Sequence, residues 1–142
     1  MTGRRGAESG RVSLFLAVAM TGVLAIVSLA YDGAGQLRTL QRADNLAAEA
    51  ARSGGQMIDR ASAIEGGPKR IDQVAARAAV ADYLSAAGEV GGHDVDFPVV
   101  GLETQIRVRV RITYRRDLIG LFGAQKTTTV TGEATARALT GP

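Results

Sequence analysis

Hydrophobic and polar positions follow three rhythms along this chain: an unbroken apolar run, then a helical repeat, then alternation. The apolar run covers residues 12–31 and reads Val-Ser-Leu-Phe-Leu-Ala-Val-Ala-Met-Thr-Gly-Val-Leu-Ala-Ile-Val-Ser-Leu-Ala-Tyr, with no charge in it. Its bulk comes from Val12, Leu14, Phe15, Leu16, Val18 and Met20, then Val23, Leu24, Ile26, Val27 and Leu29, closing on Tyr31. About 20 such residues, at 1.5 Å each, match a hydrocarbon core of about 30 Å. Lipid offers no partner for a free N–H or C=O, so the segment is predicted as one membrane helix. Ser13, Thr21 and Ser28 can return their hydroxyls to a carbonyl one turn back. Arg4, Arg5 and Arg11 precede the run, and the next bases, Arg38 and Arg42, come later. The positive-inside rule then puts residues 1–11 in the cytoplasm as a short tail and residues 32–142 outside the membrane. Ser28-Leu29-Ala30 before Tyr31 also fits a secretory signal with a small-x-small cleavage site. The run is long for a signal, which favours a retained anchor. Both readings export the rest of the chain.

Past Asp32-Gly33-Ala34-Gly35 a helical repeat sets in. Leu37, Leu40, Ala43 or Asp44, Ala47, Ala50 or Ala51 and Gly54 recur at three- and four-residue steps, continuing to Met57 or Ile58 and Ala61. This seam is narrow and built of small side chains, suited to lying close to another helix or a sheet. Span and seam together predict one N-terminal helix of about 50 residues, on the order of 75 Å, ended by Glu65-Gly66-Gly67-Pro68-Lys69. A second helix is predicted over residues 72–87, with Asp72 at its start and Gly88 past its end.

From Gly91 the period becomes two. Val95, Phe97 and Val99 alternate with Asp94, Asp96 and Pro98, the proline marking an edge strand. Residues 104–115 alternate most cleanly: Ile106, Val108, Val110, Ile112 and Tyr114 face one way, and Arg107, Arg109, Arg111, Thr113 and Arg115 the other. Residues 126–138 repeat the pattern with Val130, Gly132, Ala134, Ala136 and Ala138 on the inner face. The expected fold is α+β: a transmembrane helix running into a long external helix, a second helix, then a three-stranded antiparallel β-meander. Between the last two strands, Leu118, Ile119, Leu121 and Phe122 occupy a connection that would ordinarily be polar. They tuck under the domain, dip into the membrane surface or meet a partner.

Composition narrows the chemistry. In 142 residues there is no cysteine, which removes disulfides, thiolate metal sites and cysteine nucleophiles. Net charge is +3, and the N-terminal arginines account for part of it. Three Phe, three Tyr and no Trp leave few stacking platforms, so nucleic acid is not an expected partner. His93 stands beside Asp94 and Asp96, but alternation sends neighbours to opposite faces, and a solvated histidine is the better reading than a metal ligand. No nucleophile elbow, paired acid or phosphate loop is present. No enzyme, cofactor or small-molecule substrate is therefore expected. The Arg107, Arg109 and Arg111 ladder, extended by Arg115, suits anionic lipid, cell-wall polymer or an acidic partner. A solvated face balanced by Asp94, Asp96 and Glu133 is favoured.

The Arg-rich tail, Gly10-Arg11-Val12-Ser13-Leu14-Phe15, the span ending Tyr31-Asp32-Gly33-Ala34-Gly35, the Leu37-Arg38-Thr39-Leu40-Gln41-Arg42 start of the external helix and the Val-Arg-Val-Arg-Ile-Thr-Tyr strand resemble the TadE/TadG-like family. These are pilus-assembly proteins of the tight-adherence (Flp pilus) system, and the chain is similar to the actinobacterial form. The resemblance implies a pilin-like long helix, an external domain that makes contacts, other pilus or secretion assembly proteins as partners, and oligomerisation through helix packing. Gly22, with Ala19 and Ala25, offers a small face for that packing. Processed prepilins of this type carry Glu at the fifth position after the glycine. Phe15 takes that place after Gly10, which points to an uncleaved, membrane-retained component. The alternative reading is a secreted or anchored binding module that uses the arginine face.

Overall fold

The computed structural model describes residues 5–64, 70–88, 90–101 and 103–137. Arg4 and the residues expected to end the long helix, 65–69, lie outside the described residues, as do the side chains of Arg5, Leu121 and Phe122. Helix α1 spans Arg5–Gly55, 51 residues without interruption, so it is about 75 Å long. Gly33 and Gly35 do not end it. Its N-terminal half is long and apolar enough to cross a membrane. Its C-terminal half is the spine of an α+β domain.

The helix stops at the Gly54-Gly55 pair, where Met57 N–H turns back to the Gly54 carbonyl. The expected continuation of the seam to Ala61 is thus corrected. Two glycines weaken the helix by about 1 kcal/mol each relative to alanine, and the chain gains other partners by turning. Asp59 N–H bonds the Arg70 carbonyl, Asp72 N–H bonds the Met57 carbonyl, and Ile58 pairs with Ile71. A single turn, α2 (Arg60–Ile64), lies within this excursion. Helix α3 (Gln73–Ala87) follows, with the Asp72 carboxylate accepting from Val74 and Ala75 N–H and Gly88 closing it at φ 78°.

Four strands follow, not three: β1 (Gly92–Asp96), β2 (Val99–Val100), β3 (Glu103–Arg115) and β4 (Thr127–Arg137). The sheet is antiparallel throughout, with β3 central. β1 and β2 share one register on β3, Asp96 opposite Arg107 and Val99 opposite Thr104. Pro98, with no N–H to give the ladder, lies where the two separate. The expected simple meander is therefore replaced by a central strand with β4 on one side and a divided partner on the other. Between β3 and β4 the chain makes a 3-10 turn, η1 (Ile119–Phe122).

The core lies between the sheet and the helices. Ile106, Val108, Val110 and Ile112 of β3 and Val130 of β4 meet Ala43, Ala47, Ala50 and Ala51 of α1 and Ala76, Val80 and Leu84 of α3. Small residues set the separation. A Cβ on Gly132 would overlap the Ala43–Asp44 backbone, lying 2.6 Å from the Ala43 carbonyl oxygen. A Cβ on Gly54 would lie 2.5 Å from Ile106 Cδ1 and 3.0 Å from Val80 Cγ2. At this contact α1 also caps part of the β4 edge, the Asp44 carboxylate accepting Glu133 N–H at 3.2 Å. On the other side Arg77 of α3 donates to the Val95 carbonyl at 2.9 Å and stacks on Phe97, 4.9 Å from the ring centre.

Gly132→Ala should therefore destabilise the domain by about 1–3 kcal/mol, because the obstacle is rigid helix backbone. Gly33→Ala, which meets open space, should be neutral or stabilising by up to about 1 kcal/mol. Thermal unfolding of the two full-length variants in the same detergent checks both. Equal midpoints would mean that α1 and β4 are not in backbone contact.

Candidate functional site

The stripe by which α1 meets the domain begins earlier than the apolar pattern suggests. Ser28, Asp32, Gly35, Thr39, Ala43, Ala47, Ala50 and Gly54 follow one another at three or four residues, one face of a helix. Ser28 and Asp32 are 7% and 4% exposed. Among the predicted seam residues, Ala47, Ala50, Ala51 and Gly54 are buried and Leu40 packs on the edge of the core. Leu37 is 62% exposed and leaves the seam, since it lies two residues from both Gly35 and Thr39, about 160° round the helix from the stripe. Asp32 and Ser28 escape an apolar search because they are polar; the signal that finds them is spacing carried backwards from Ala43.

Asp32 immediately follows the uncharged run, and its carboxylate accepts three consecutive backbone N–H groups. Asp117 N–H reaches Oδ1 at 3.1 Å, Leu118 N–H reaches Oδ2 at 3.2 Å and Ile119 N–H reaches Oδ2 at 2.6 Å. These are the orphan donors at the start of η1, so one side chain of α1 caps the turn between β3 and β4. The Ile119 bond first, and then those from Asp117, Leu118 and the Tyr114 hydroxyl, hold the Asp32 carboxyl below its usual 3.8, against the opposing effect of burial. Burial raises the Tyr114 phenol, and the charge of Asp32 raises it further. Tyr114 reaches this place because residue 35 is glycine: a Cβ there would run into the phenol, 2.7 Å from its Cζ.

The predicted loop residues sit on this anchor. Leu118 and Ile119 are half-buried, and η1 packs against α1. Arg115, Arg116 and Lys126 line a cleft of about 360 Å³ at the base of the loop, together with Asp117 and Gly120. Arg116 N–H bonds the Lys126 carbonyl at 2.7 Å, which closes the hairpin below η1.

The arginine ladder is a different arrangement. Arg111 pairs with Asp94 at 2.5 Å, Arg109 with Asp96, and Arg107 with Glu133 at 3.5 Å. The carboxylates come from both neighbouring strands, each on the diagonal, two residues from the position directly opposite its arginine. These side chains are roughly half exposed, and exposed pairs contribute little to stability. His93 is exposed, on the strand beside that row. Among the described residues no three His, Asp or Glu side chains converge as a metal would require. A groove of about 530 Å³ between Ala48, Arg52 and Gly55 of α1, Gln56 just past its end and the end of β4 carries no acid–base pair.

The predicted anchor residues present another surface. From Val12 to Tyr31 every large apolar side chain is between 54% and 75% exposed. Arg11, also exposed, stands at the N-terminal edge of that surface.

No family model, curated protein or solved structure matches the chain.

Two outcomes are expected from this geometry. Asp32→Ala leaves three N–H groups without an acceptor, so hydrogen-exchange protection at Leu118 and Ile119 should fall to that of an open loop while β3 amides stay protected. In the unaltered protein a lowered carboxyl pKa means the anchor is fully formed above 3.8 and lost as pH falls through the lower folded value. Protection factors at the same amides should hold at pH 5 and above and collapse only below the ordinary carboxylate range. Loss of protection already near pH 5 would show that Asp32 does not carry the loop. For the ladder, Arg109→Gln should shift the thermal midpoint less than Gly132→Ala does; a larger shift would mean that the row is structural.

Proposed function

We propose that the chain is a single-pass membrane component of an envelope assembly, of the TadE/TadG-like, tight-adherence pilus or related secretion type. In this reading residues 12–31 cross the cell membrane with Arg4, Arg5 and Arg11 on the cytoplasmic side, and the α+β domain stands outside. The observation that carries it is the division of α1. One continuous helix is bare, uncharged and apolar for about 30 Å, then becomes the spine of a folded domain. Fully burying one Val, Leu, Ile or Phe side chain is worth about 1.5–3 kcal/mol. A dozen such side chains left in water would outweigh the stability of a small domain. Lipid, or helices of other subunits within lipid, relieves that cost.

The role within the membrane is structural and interactive, not catalytic. The resemblance of the span, the external helix and the arginine-bearing strand to TadE/TadG-like proteins supports it. So does the arginine row, whose charges are answered on its own sheet by Asp94, Asp96 and Glu133. The partners expected are other assembly proteins, met through the bare helix and the Ala19, Gly22 and Ala25 face.

The membrane reading is tested by alkaline extraction and by a reporter, active only outside the cytoplasm, fused after Pro142. The product should stay with the membrane and the reporter should be active. A soluble product with its N-terminus at Tyr31 would establish a cleaved signal instead. The assembly reading predicts that deletion of the gene abolishes surface filaments or the secretion they serve. Filaments and secretion that persist unchanged would overturn it while leaving the topology intact.

A further inference from the structure

β3 runs antiparallel to α1. Ile106 lies beside Gly54 at the far end of the helix, and Tyr114 lies beside Gly35. The loop after β3 is held by Asp32, the first residue past the apolar run. β4 then leads away, with Gly132 beside Ala43 and Ala136 beside Gly55. The β3–β4 connection is therefore the part of the domain that returns to the point where α1 leaves its apolar half. It reaches slightly further. Ser28, one turn inside the run and on the Asp32 face, is 7% exposed, whereas its neighbours Val27 and Leu29 are 55% and 61% exposed. One turn of helix is about 5.4 Å, so this end of the domain extends about that far alongside the apolar surface.

The chemistry at that level is mixed in a particular way. Leu118 and Ile119 are apolar where a hairpin connection is ordinarily polar. Arg115, Arg116 and Lys126 gather at the loop base around one cleft, against the single carboxylate of Asp117. Among the described residues no salt bridge joins these three bases to a carboxylate, unlike Arg107, Arg109 and Arg111. Apolar side chains beside a cluster of unanswered bases is the composition of an interfacial membrane contact: the first enter the headgroup–acyl boundary and the second meet lipid phosphates.

We propose that residues 115–126 form a membrane-surface clamp. Leu118 and Ile119 insert shallowly into the leaflet from which α1 emerges. Arg115, Arg116 and Lys126 bind the headgroups of anionic phospholipids there. Asp32 is the positioning residue, since its hold on the loop backbone fixes the clamp at the depth of the last helical turn in the membrane. The span and the clamp are then two points of attachment, which set the domain's tilt on the bilayer. This inference rests on the membrane reading of residues 12–31.

The absence of cysteine allows a direct test on the full chain. Leu118→Cys, Ile119→Cys, Glu103→Cys and Leu24→Cys are each labelled with an environment-sensitive fluorophore. Each is placed in nanodiscs of phosphatidylcholine, alone or mixed with phosphatidylglycerol, containing a lipid nitroxide quencher. Labels at 118 and 119 should emit to the blue and be quenched, more so with phosphatidylglycerol, while Glu103, at the far end of β3, stays aqueous. Joint replacement Arg115→Gln, Arg116→Gln and Lys126→Gln should remove the increment due to phosphatidylglycerol and leave Leu24 unchanged. High salt should do the same in the unaltered chain, since it shortens the screening length to about 3 Å at 1 M. A quenched Leu24 with aqueous 118 and 119 would overturn the clamp and leave the anchor standing. An aqueous Leu24 would overturn the anchor itself. Quenching at 118 and 119 that is indifferent to both salt and phosphatidylglycerol would overturn the headgroup site.

Discussion

The structure depends on how closely α1 approaches the sheet. At Gly132 the strand touches helix backbone, and at Gly54 the helix touches the side chains of Ile106 and Val80. Between these points Ala43, Ala47, Ala50 and Ala51 keep the gap small. A core built this way holds few large side chains, and its cohesion comes from many short-range contacts at near-crystalline density. Such a seam has little capacity to relax: an added methyl group has no free volume to enter, and at Gly132 the atoms it meets belong to main chain.

Because the spine of the domain is the same helix that carries the apolar run, domain and run are mechanically one piece. α1 passes the boundary at residues 31 and 32 without a break. Asp32 adds a second tie at that boundary by holding the β3–β4 turn through its backbone N–H groups, with the Tyr114 hydroxyl as a further donor. A carboxylate surrounded by donors is a directional fastening, so the turn is fixed in orientation as well as in distance. This is the opposite of a domain hung on a flexible linker. Force or rotation applied to one end of α1 reaches the sheet directly.

Charge is used in two ways. The arginine row on β3 faces solvent, but its partners are supplied by β1 and β4 across the ladder, so it serves the sheet before it serves any ligand. Among the described residues the bases at the start of the β3–β4 connection, Arg115 and Arg116, have no such partners in the sheet. Similar residue types, a few positions apart on one strand, thus differ in what they leave available to other molecules.

The sequence by itself determined what is local and periodic. The apolar run, the Asp72-started helix and the alternation of β3 each follow from spacing and from the capping chemistry of Asp72 and Gly88. It also placed Ala47, Ala50, Ala51 and Gly54 on a common face. Tertiary structure alone decided where the helix yields to other partners. Gly54-Gly55 is an end, whereas Gly33 and Gly35 are not, because the hydrogen bonds of residues 57, 59 and 72 form only when distant segments meet. It moved Leu37 out of the seam and brought Ser28 and Asp32 in. It also joined Asp32 to residues 117–119, some 85 positions away. No pattern along the chain announces that last contact: a lone aspartate after an apolar run reads as the point where a helix meets water. Only the antiparallel return of β3 along α1 brings to it the unpaired N–H groups that make it a buried anchor.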